Sequence, residues 1–473
     1  MEGSRILLRD STDPAIFRAA VWGRVFNACR DLSRVPFAVC KARTVADIVA
    51  AVELAKAKIC RVSVRAGGHS WAAWSVRQDA VLIDVENLDL DLGRDRIDYD
   101  DKTNIVSCPP GITGRMLNEF LATVNRMFAG GHCPDVGLGG FLLQGGMGWN
   151  CKNWGWACES VVAIDVVTTD GKQLLCNTTE HPDLFWAARG AGPGFPAIVT
   201  RFYLKTRPLL QMWQNLYIFP ISEYKKVLQW EIEIAPTVDP DTEMVGVSSF
   251  IPLTDGKEAE LTILANFTTF KPSLKEATVA LAPIHAAVPS GAKISVFCQP
   301  TSFEKEYAQQ IKTYPQGWRY CSDNAYISPN CTDIVGVLEE SFSGLVGQKS
   351  CALWFSMNPR SMRDHKGEEM ALSMQSDHYF ALYTVWEDEK DDQKYQGWVA
   401  DMMKKVERYS VGSYLGDADF RVRRTKFWSA EVGEKLREVR RKWDPEGRIC
   451  GFLDEGDKSG VNGLRNDFEW EGS

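Results

Sequence analysis

Two hydrophobic periods alternate along the first 207 residues, and each switch between them predicts a new element. Thr44-Val45-Ala46-Asp47 has capping-box spacing, and Val45, Ile48, Val49 and Val52 follow at helical intervals. Arg61 to Arg65 alternates with period two, as a half-buried strand does, and runs into Gly67-Gly68-His69. The apolar run at 80–85 predicts another strand. Met116, Phe120, Leu121 and Val124 mark one face of a helix within 113–125. Val161 to Thr168 is apolar and β-branched, and Thr169-Asp170-Gly171 is a turn that folds it into a hairpin. A further strand is predicted over 197–207, closed by Pro208.

The texture changes between 208 and 410. Strand patterns at Tyr217–Pro220, Val245–Phe250, Leu261–Phe267 and Tyr379–Trp386 mix with helical patterns near 222–234 and 274–282. This predicts a sheet with helices on one face. The acidic run Glu387 to Asp392 reads as a solvated loop. After 411, Val432, Leu436, Val439 and Trp443 define a helix that ends at Asp444-Pro445-Glu446-Gly447. Arg437, Arg440 and Arg441 on that helix read as its wet face.

Composition narrows the function classes. The chain has 473 residues, 45% hydrophobic and 25% charged, with a net charge of −8. The acidic balance argues against the basic face that nucleic acid requires, and the chain has no apolar run of about 18 residues that would span a membrane. No secretory leader follows Met1-Glu2-Gly3-Ser4-Arg5, so a cytoplasmic location is expected. The thirteen cysteines lack paired spacing and read mostly as buried free thiols. Asn177, Asn266 and Asn330 lie in glycosylation triplets that matter only in a secreted chain. A small-molecule partner is expected, and the sequence leaves the oligomeric state open.

Two glycine-rich stretches carry the chemistry. Arg65-Ala66-Gly67-Gly68-His69-Ser70 directly follows a predicted strand. The second runs from Gly130-Gly131-His132-Cys133-Pro134-Asp135-Val136 through Gly137, Gly139 and Gly140 to Gly145, Gly146 and Gly148. Glycine lets a backbone approach a ligand closely and aim N–H groups at phosphate oxygens. A Rossmann fingerprint does not fit, because the third glycine after Gly137-Leu138-Gly139 is out of place and Gly190–Gly194 contains Pro193. Walker and zinc spacings are also missing, and His132 beside Cys133 does not make a tetrahedral metal site.

These stretches resemble the FAD-linked oxidases of the berberine bridge enzyme type, in the vanillyl-alcohol oxidase superfamily. His181-Pro182-Asp183-Leu184-Phe185-Trp186-Ala187-Ala188-Arg189-Gly190, Ile198-Val199-Thr200 and Trp443-Asp444-Pro445 extend the match. It covers residues 1–207 and about the last 60, and the middle only weakly. The resemblance implies an α+β, two-domain fold of PCMH type. An FAD-binding domain is built from 1–207 and 411–473, with a substrate domain, an antiparallel sheet covered by helices, inserted at 208–410. It implies FAD bonded through His69 and Cys133 and cradled by the glycine loops, with Ile198, Val199 and Tyr414 also at the cofactor. Val136 matches a position beside the flavin where a small residue is associated with oxygen access. An oxidase giving hydrogen peroxide is therefore expected. The alternatives are a dehydrogenase or oxidative cyclase, and a scaffold whose flavin does no redox chemistry.

The catalytic base is less determined. Relatives often carry Tyr-x-Asn-Tyr-x-Asp where this chain has Tyr414-Leu415-Gly416-Asp417-Ala418-Asp419, so the second tyrosine is replaced by Asp417. Asp417 is a candidate base or a plain turn residue. A strand from Asp377 to Glu387 sends His378, Phe380, Leu382, Thr384 and Trp386 one way and Tyr379, Ala381 and Tyr383 the other. His378 and Tyr383 are candidates on opposite faces, and Trp386 matches an aromatic that relatives place over the flavin. Tyr320, beside the cation of Arg319, is a fourth. Sixteen tryptophans favour an aromatic or specialised-metabolite substrate over a sugar.

Overall fold

Three large sheets and one two-stranded pair, Arg126–Met127 with Arg207–Pro208, organise the described residues. The computed structural model describes residues 5–91, 96–253, 258–357, 369–423 and 425–451. Residues 1–4 of the N-terminal stretch and 452–473 of the expected C-terminal segment lie outside them. The first sheet has the order Ile6–Leu8, Ala38–Lys41, Val81–Asp84, Val62–Arg65, and its last three strands are parallel. The helix Val45–Ala57 makes the crossover that parallel neighbours require. It starts where the capping box predicts: the Thr44 side chain accepts from Asp47 N–H, and Asp47 accepts from Thr44 N–H. Ile48, Ala51, Val52 and Ala55 form its buried face.

The second sheet is antiparallel, ordered Asp98–Asp100, Ile105–Cys108, Ile198–Lys205, Val161–Val167, Gln173–Cys176. It contains the expected hairpin, with Val167 opposite Gln173. The helix Ala430–Trp443 packs Val432, Leu436 and Val439 into this sheet's core. The chain then returns to the first sheet, where Ile449 pairs with Val62.

Arg440 departs from the wet face expected for it. It is 5% exposed, and its guanidinium donates to Gly194 O and Ile449 O and pairs with Asp444. Periodicity placed it one step from Val439, and the returning chain covers it.

The third sheet has eight strands, in the order Ile294–Thr301, Gln211–Pro220, Glu260–Lys271, Thr242–Ile251, Cys351–Ser356, His378–Trp386, Arg319–Ile327, Ser410–Gly412. The helices Tyr224–Ile234, Leu274–Ala287, Ile334–Ser343 and Asp392–Val406 cover one face, as the α+β pattern predicts. The acidic run is not wholly solvated. Asp392 opens a helix and its carboxylate takes the Arg319 guanidinium at 2.5 Å and the Trp386 indole N–H at 2.8 Å.

Glu231 sits in this helix-covered layer at 0% exposure, and no group among the described residues donates to either carboxyl oxygen. Gly246 opposite has no side chain, which leaves the carboxyl its space. Burial drives its pKa well above the usual value, so the folded chain holds it protonated. Unfolded Glu231 ionises near its normal pKa, so this residue costs more stability as pH rises through and above that value. Glu231→Gln is expected to raise the unfolding free energy by about 1–3 kcal/mol at pH 7.5. The gain should shrink towards pH 4.5, as read from urea unfolding at both pH values.

Candidate active site

The two glycine loops meet each other. A Cβ on Gly137 would stand 2.6 Å from the Gly67 nitrogen, and one on Gly139 would stand 2.8 Å from the Ala66 Cβ. Both are too close for any side chain, so the sequence has glycine where two backbones cross. Gly140 is different: nothing lies within 4 Å of its Cβ direction, and it faces open space. Gly145, Gly146 and Gly148 are filled on that side by Leu372, by Ala157 with Phe141, and by the Ala129 carbonyl. Gly68 has a φ of +78° and turns the chain past the Arg24 carbonyl.

Arg65 does not face the opening. Its guanidinium is bound by Asp84 at 2.7 Å and by the carbonyls of Ala20 and Val21, all in the interior. Ser70 Oγ accepts from Trp74 N–H. The side chains of Ile198 and Val199 belong to the two cores on either side of their strand. Val136 is half-buried, and its carbonyl accepts from Gly114 N–H.

His69 and Cys133 lie on the two loops that cross. The His69 ring stacks on Phe26, 4.5 Å between centroids and 20° between planes, and hydrogen-bonds the backbone of Asp135. Burial, helped by the Arg24 charge, pulls His69 down to about 4. The imidazole is therefore neutral near pH 7 and keeps a nucleophilic lone pair. Burial pushes the Cys133 thiol up to about 12, and the Asp417 and Asp135 carboxylates add to this.

The face of the eight-stranded sheet turned away from the helices completes the site, packed against Met147, Trp156 and Tyr414. Tyr379, Ala381 and Tyr383 point towards it. The Tyr379 hydroxyl donates to Asp417 Oδ2 at 2.6 Å, and Tyr383 lies close enough for its phenol to act on this carboxylate. Burial raises Asp417, while Tyr379, Tyr383 and the His132 charge oppose the rise. Asp417 is in a tight turn, Leu415–Asp417, yet its carboxyl faces inward, and Ser322 Oγ holds its carbonyl at 2.8 Å. Tyr414 pins the end of the second glycine loop: its hydroxyl accepts from Met147 N–H, and its backbone is paired by Asn324.

Three expectations for this face are corrected. His378 is on the other face, where its Nδ1 accepts from the Trp354 indole at 3.2 Å. Trp386 also belongs to the helix side, stacked on Tyr395 at 5.0 Å. Tyr320 has its ring on the site side, 5.1 Å from Phe26 and 5.6 Å from Trp71, but it does not share a face with Arg319. Arg319 is taken by Asp392, and the Tyr320 hydroxyl donates to Pro315 O at 2.6 Å. Adjacent strand residues point to opposite faces, which rules out a Tyr320–Arg319 base.

His378 still has a measurable consequence. Burial pulls it down to about 4, below its unfolded value near 6.5. Unfolding therefore takes up a proton, and stability is lost as pH falls from about 6.5 towards 4. His378→Asn keeps an acceptor for Trp354, and it is expected to remove about 1–2 kcal/mol of this acid sensitivity in urea unfolding.

Tyr379, His132 and Glu243 were not among the expected site residues. Tyr379 was within reach, because it alternates in phase with Tyr383. His132 pairs with Glu243 at 2.8 Å from 111 residues away, a distance over which sequence spacing carries no information.

The arrangement fits a flavin. It offers a neutral imidazole and a thiol on crossing loops, open backbone at Gly140, and a carboxylate–tyrosine cluster on the facing sheet. Residues 36–177 match the family described as FAD binding domain. The FAD-linked oxidoreductase janO of Penicillium janthinellum is 39% identical over 455 residues, covering 95% of this chain and 97% of that one. A carbohydrate oxidase of Microdochium nivale is 36% identical over 178 residues, 37% of this chain and 35% of that one. Among solved structures, Physcomitrella patens BBE-like 1 superposes with a TM-score of 0.77 at 17% identity, covering 94% of this chain and 96% of that one. The Microdochium nivale carbohydrate oxidase bound to a substrate analogue gives 0.75 at 19% identity, covering 93% and 95%. No helix among the described residues is long and apolar enough to cross a membrane. The near full-length kinship, together with the FAD-binding match, makes this chain a member of the FAD-linked oxidoreductase family, with the fold that the Physcomitrella patens BBE-like 1 structure shares.

Proposed function

We propose that the chain is an oxidase that carries FAD on two covalent bonds, to His69 and Cys133. In this reading it oxidises a C–H bearing a hydroxyl or amine in a small aromatic or specialised-metabolite substrate, with oxygen as final acceptor giving hydrogen peroxide. Residues 1–207 and 411–473 form the cofactor half, and 208–410 the substrate half. The observation that carries it is the Asp417 carboxylate, which accepts from Tyr379 and neighbours Tyr383 on the face opposite Cys133. FAD, when bound, supplies the hydride acceptor.

The protein's own groups handle the proton. As the substrate carbon loses a hydride, its hydroxyl or amine must lose H⁺. Tyr383 or Tyr379 can take that proton while passing its own to Asp417, so the proton ends on the carboxylate and no phenolate has to form. Neither phenol serves alone as an anionic base, since burial and Asp417 hold both well above their usual pKa. The rings of Phe26, Trp71, Tyr320 and Tyr383 form a continuous aromatic wall, which favours an aromatic substrate.

A second reading, oxidation of a sugar, is favoured by the carbohydrate oxidase of Microdochium nivale, although that match spans 37% of this chain. The test is a panel of benzylic and allylic alcohols, aryl amines, and mono- and oligosaccharides. Flavin bleaching without air and peroxide formation in air are both measured. Peroxide with an aryl substrate supports the proposal, and peroxide with sugars alone replaces it by the second reading. Bleaching without peroxide makes the chain a dehydrogenase or cyclase, and no bleaching with any compound favours the scaffold.

A further inference from the structure

One ion pair lies at the site and has no part in the chemistry above. His132 stands in the second glycine loop, immediately before Cys133. Its Nε2 meets Glu243 Oε1 at 2.8 Å. Glu243 belongs to the strand Thr242–Ile251, and its neighbour Met244 packs among the helices, so Glu243 faces the site side. Its other oxygen accepts from Asn150 N–H at 2.6 Å, and the residue is 6% exposed. Both carboxylate oxygens are thus fixed.

The ring of His132 lies 4.3 Å from Trp149 and 6.0 Å from Phe355. Phe355 pairs in register with Tyr379, whose hydroxyl holds Asp417. The His132 side chain keeps 24% of its surface open, so it is only partly covered by this packing. Burial lowers His132, and Glu243 and Asp417 together outweigh it and lift the ring above its ordinary value, favouring the imidazolium. The attraction is mutual, since the His132 charge opposes the rise of Asp417.

We propose that His132 is a positioning residue of the reaction: clamped by Glu243 and set beside Phe355, the register partner of Tyr379, its ring supplies the charge that keeps the Asp417–Tyr379–Tyr383 cluster able to accept a proton. This rests on the reading of Asp417 as the proton acceptor. Glu243 has a purpose in the pair beyond anchoring. Without it, an imidazole buried beside Trp149 would shed its proton, and Asp417 would lose its counter-charge.

The other groups that face the pair limit what can move it. On the loop these are Cys133 and Asp135, and on the helix Phe303–Thr313 it is Glu306, whose charge also favours the imidazolium. On the sheet they are Cys351, Tyr326, Tyr379 and Tyr383, with Tyr414 beside the turn. All of these thiols and phenols are held protonated by burial. The carboxylates of Glu243, Asp417, Asp135 and Glu306 and the ring of His132 are therefore the groups whose charges meet here.

The test reads protonation directly on the purified holoprotein. With only six histidines, ¹³Cε1-histidine NMR resolves His132, assigned by His132→Gln. Its midpoint is expected to fall in Glu243→Gln and, by a smaller step, in Asp417→Asn. In ¹³Cγ-aspartate spectra, the Asp417 midpoint is expected to rise by about one pH unit in His132→Gln. His132→Asn provides the same reading if the Gln variant retains no flavin. A clamp of purely structural value would lower the melting temperature of His132→Gln and leave the Asp417 midpoint in place, and that result overturns the inference. Asp417→Asn that reduces flavin at the wild-type rate while the coupling is intact would instead remove the reading beneath it, through a different variant and a different measurement.

Discussion

Asp417→Asn is expected to slow flavin reduction by an active substrate by about 10²–10⁴-fold, the range for loss of a positioned general base. The asparagine keeps the size of the side chain and an acceptor for the Tyr379 hydroxyl, so the turn Leu415–Asp417 should stand. What disappears is a site whose basicity matches the proton it must take. The pH profile carries the sharper prediction. Burial lifts Asp417 above the ordinary carboxylate range, so the wild-type rate should fall on the acid side as pH drops through that raised value. Asp417→Asn should lose this limb. Tyr383→Phe and Tyr379→Phe should each retain it, because the carboxylate remains, while the rate falls by a smaller factor. Stopped-flow reduction without air, from pH 5 to 9, separates these outcomes. An unchanged acid limb in Asp417→Asn would assign the proton to another group.

The double variant His69→Ala/Cys133→Ala is expected to release all its flavin on denaturation, and each single variant should retain one bonded flavin. Intact mass and in-gel fluorescence read this directly. The two bonds should also differ in how they form. His69 is held near 4, so its imidazole is neutral above about pH 5 and ready to attack. In Cys133→Ala, flavin attachment should therefore be nearly independent of pH from 6 to 9. Cys133 is pushed up to about 12, and the thiolate rather than the thiol is the nucleophile. In His69→Ala, attachment should become faster as pH rises over the same range. Loading the apoprotein with FAD at several pH values and sampling the bonded fraction over time tests this. Equal pH dependence in the two variants would mean that flavin binding itself resets the protonation of Cys133.

The parts of the fold written in local pattern were legible in the sequence. The capping box at Thr44–Asp47 gave the helix start, and Thr169-Asp170-Gly171 gave the hairpin turn, because each needs only residues within one turn of each other. The glycines that cross at Gly67 and Gly137 were legible as special positions, though not as each other's neighbours. Alternation along 377–387 correctly divided the strand into two sets. It could not say which set faced the helices, since both sets are apolar and aromatic. That was decided by partners far away in the chain, such as the Tyr326–Tyr379 and Ser322–Tyr383 register pairs. The same applies to charge. Arg319 and Asp392 are 73 residues apart, and His132 and Glu243 are 111 apart. Such pairs leave no trace in periodicity, so Tyr320 gained a false partner and His132 lost its real one.

The return of the chain to its first sheet also sets an order of events during synthesis. Cys450 N–H donates to Val62 O, Arg61 donates to Ile449 O, and Arg440 closes over the same carbonyl. Those contacts cannot form until residues 440–450 have left the ribosome. The eight-stranded sheet, built from residues 211 to 412, emerges earlier and can assemble while the sheet that leads into His69 still lacks its closing segment. Domains generally fold as units in order of emergence. A sheet begun at residues 6–84 is thus closed only by residues 440–450, so the strand that leads into His69 gains its last partner late in synthesis.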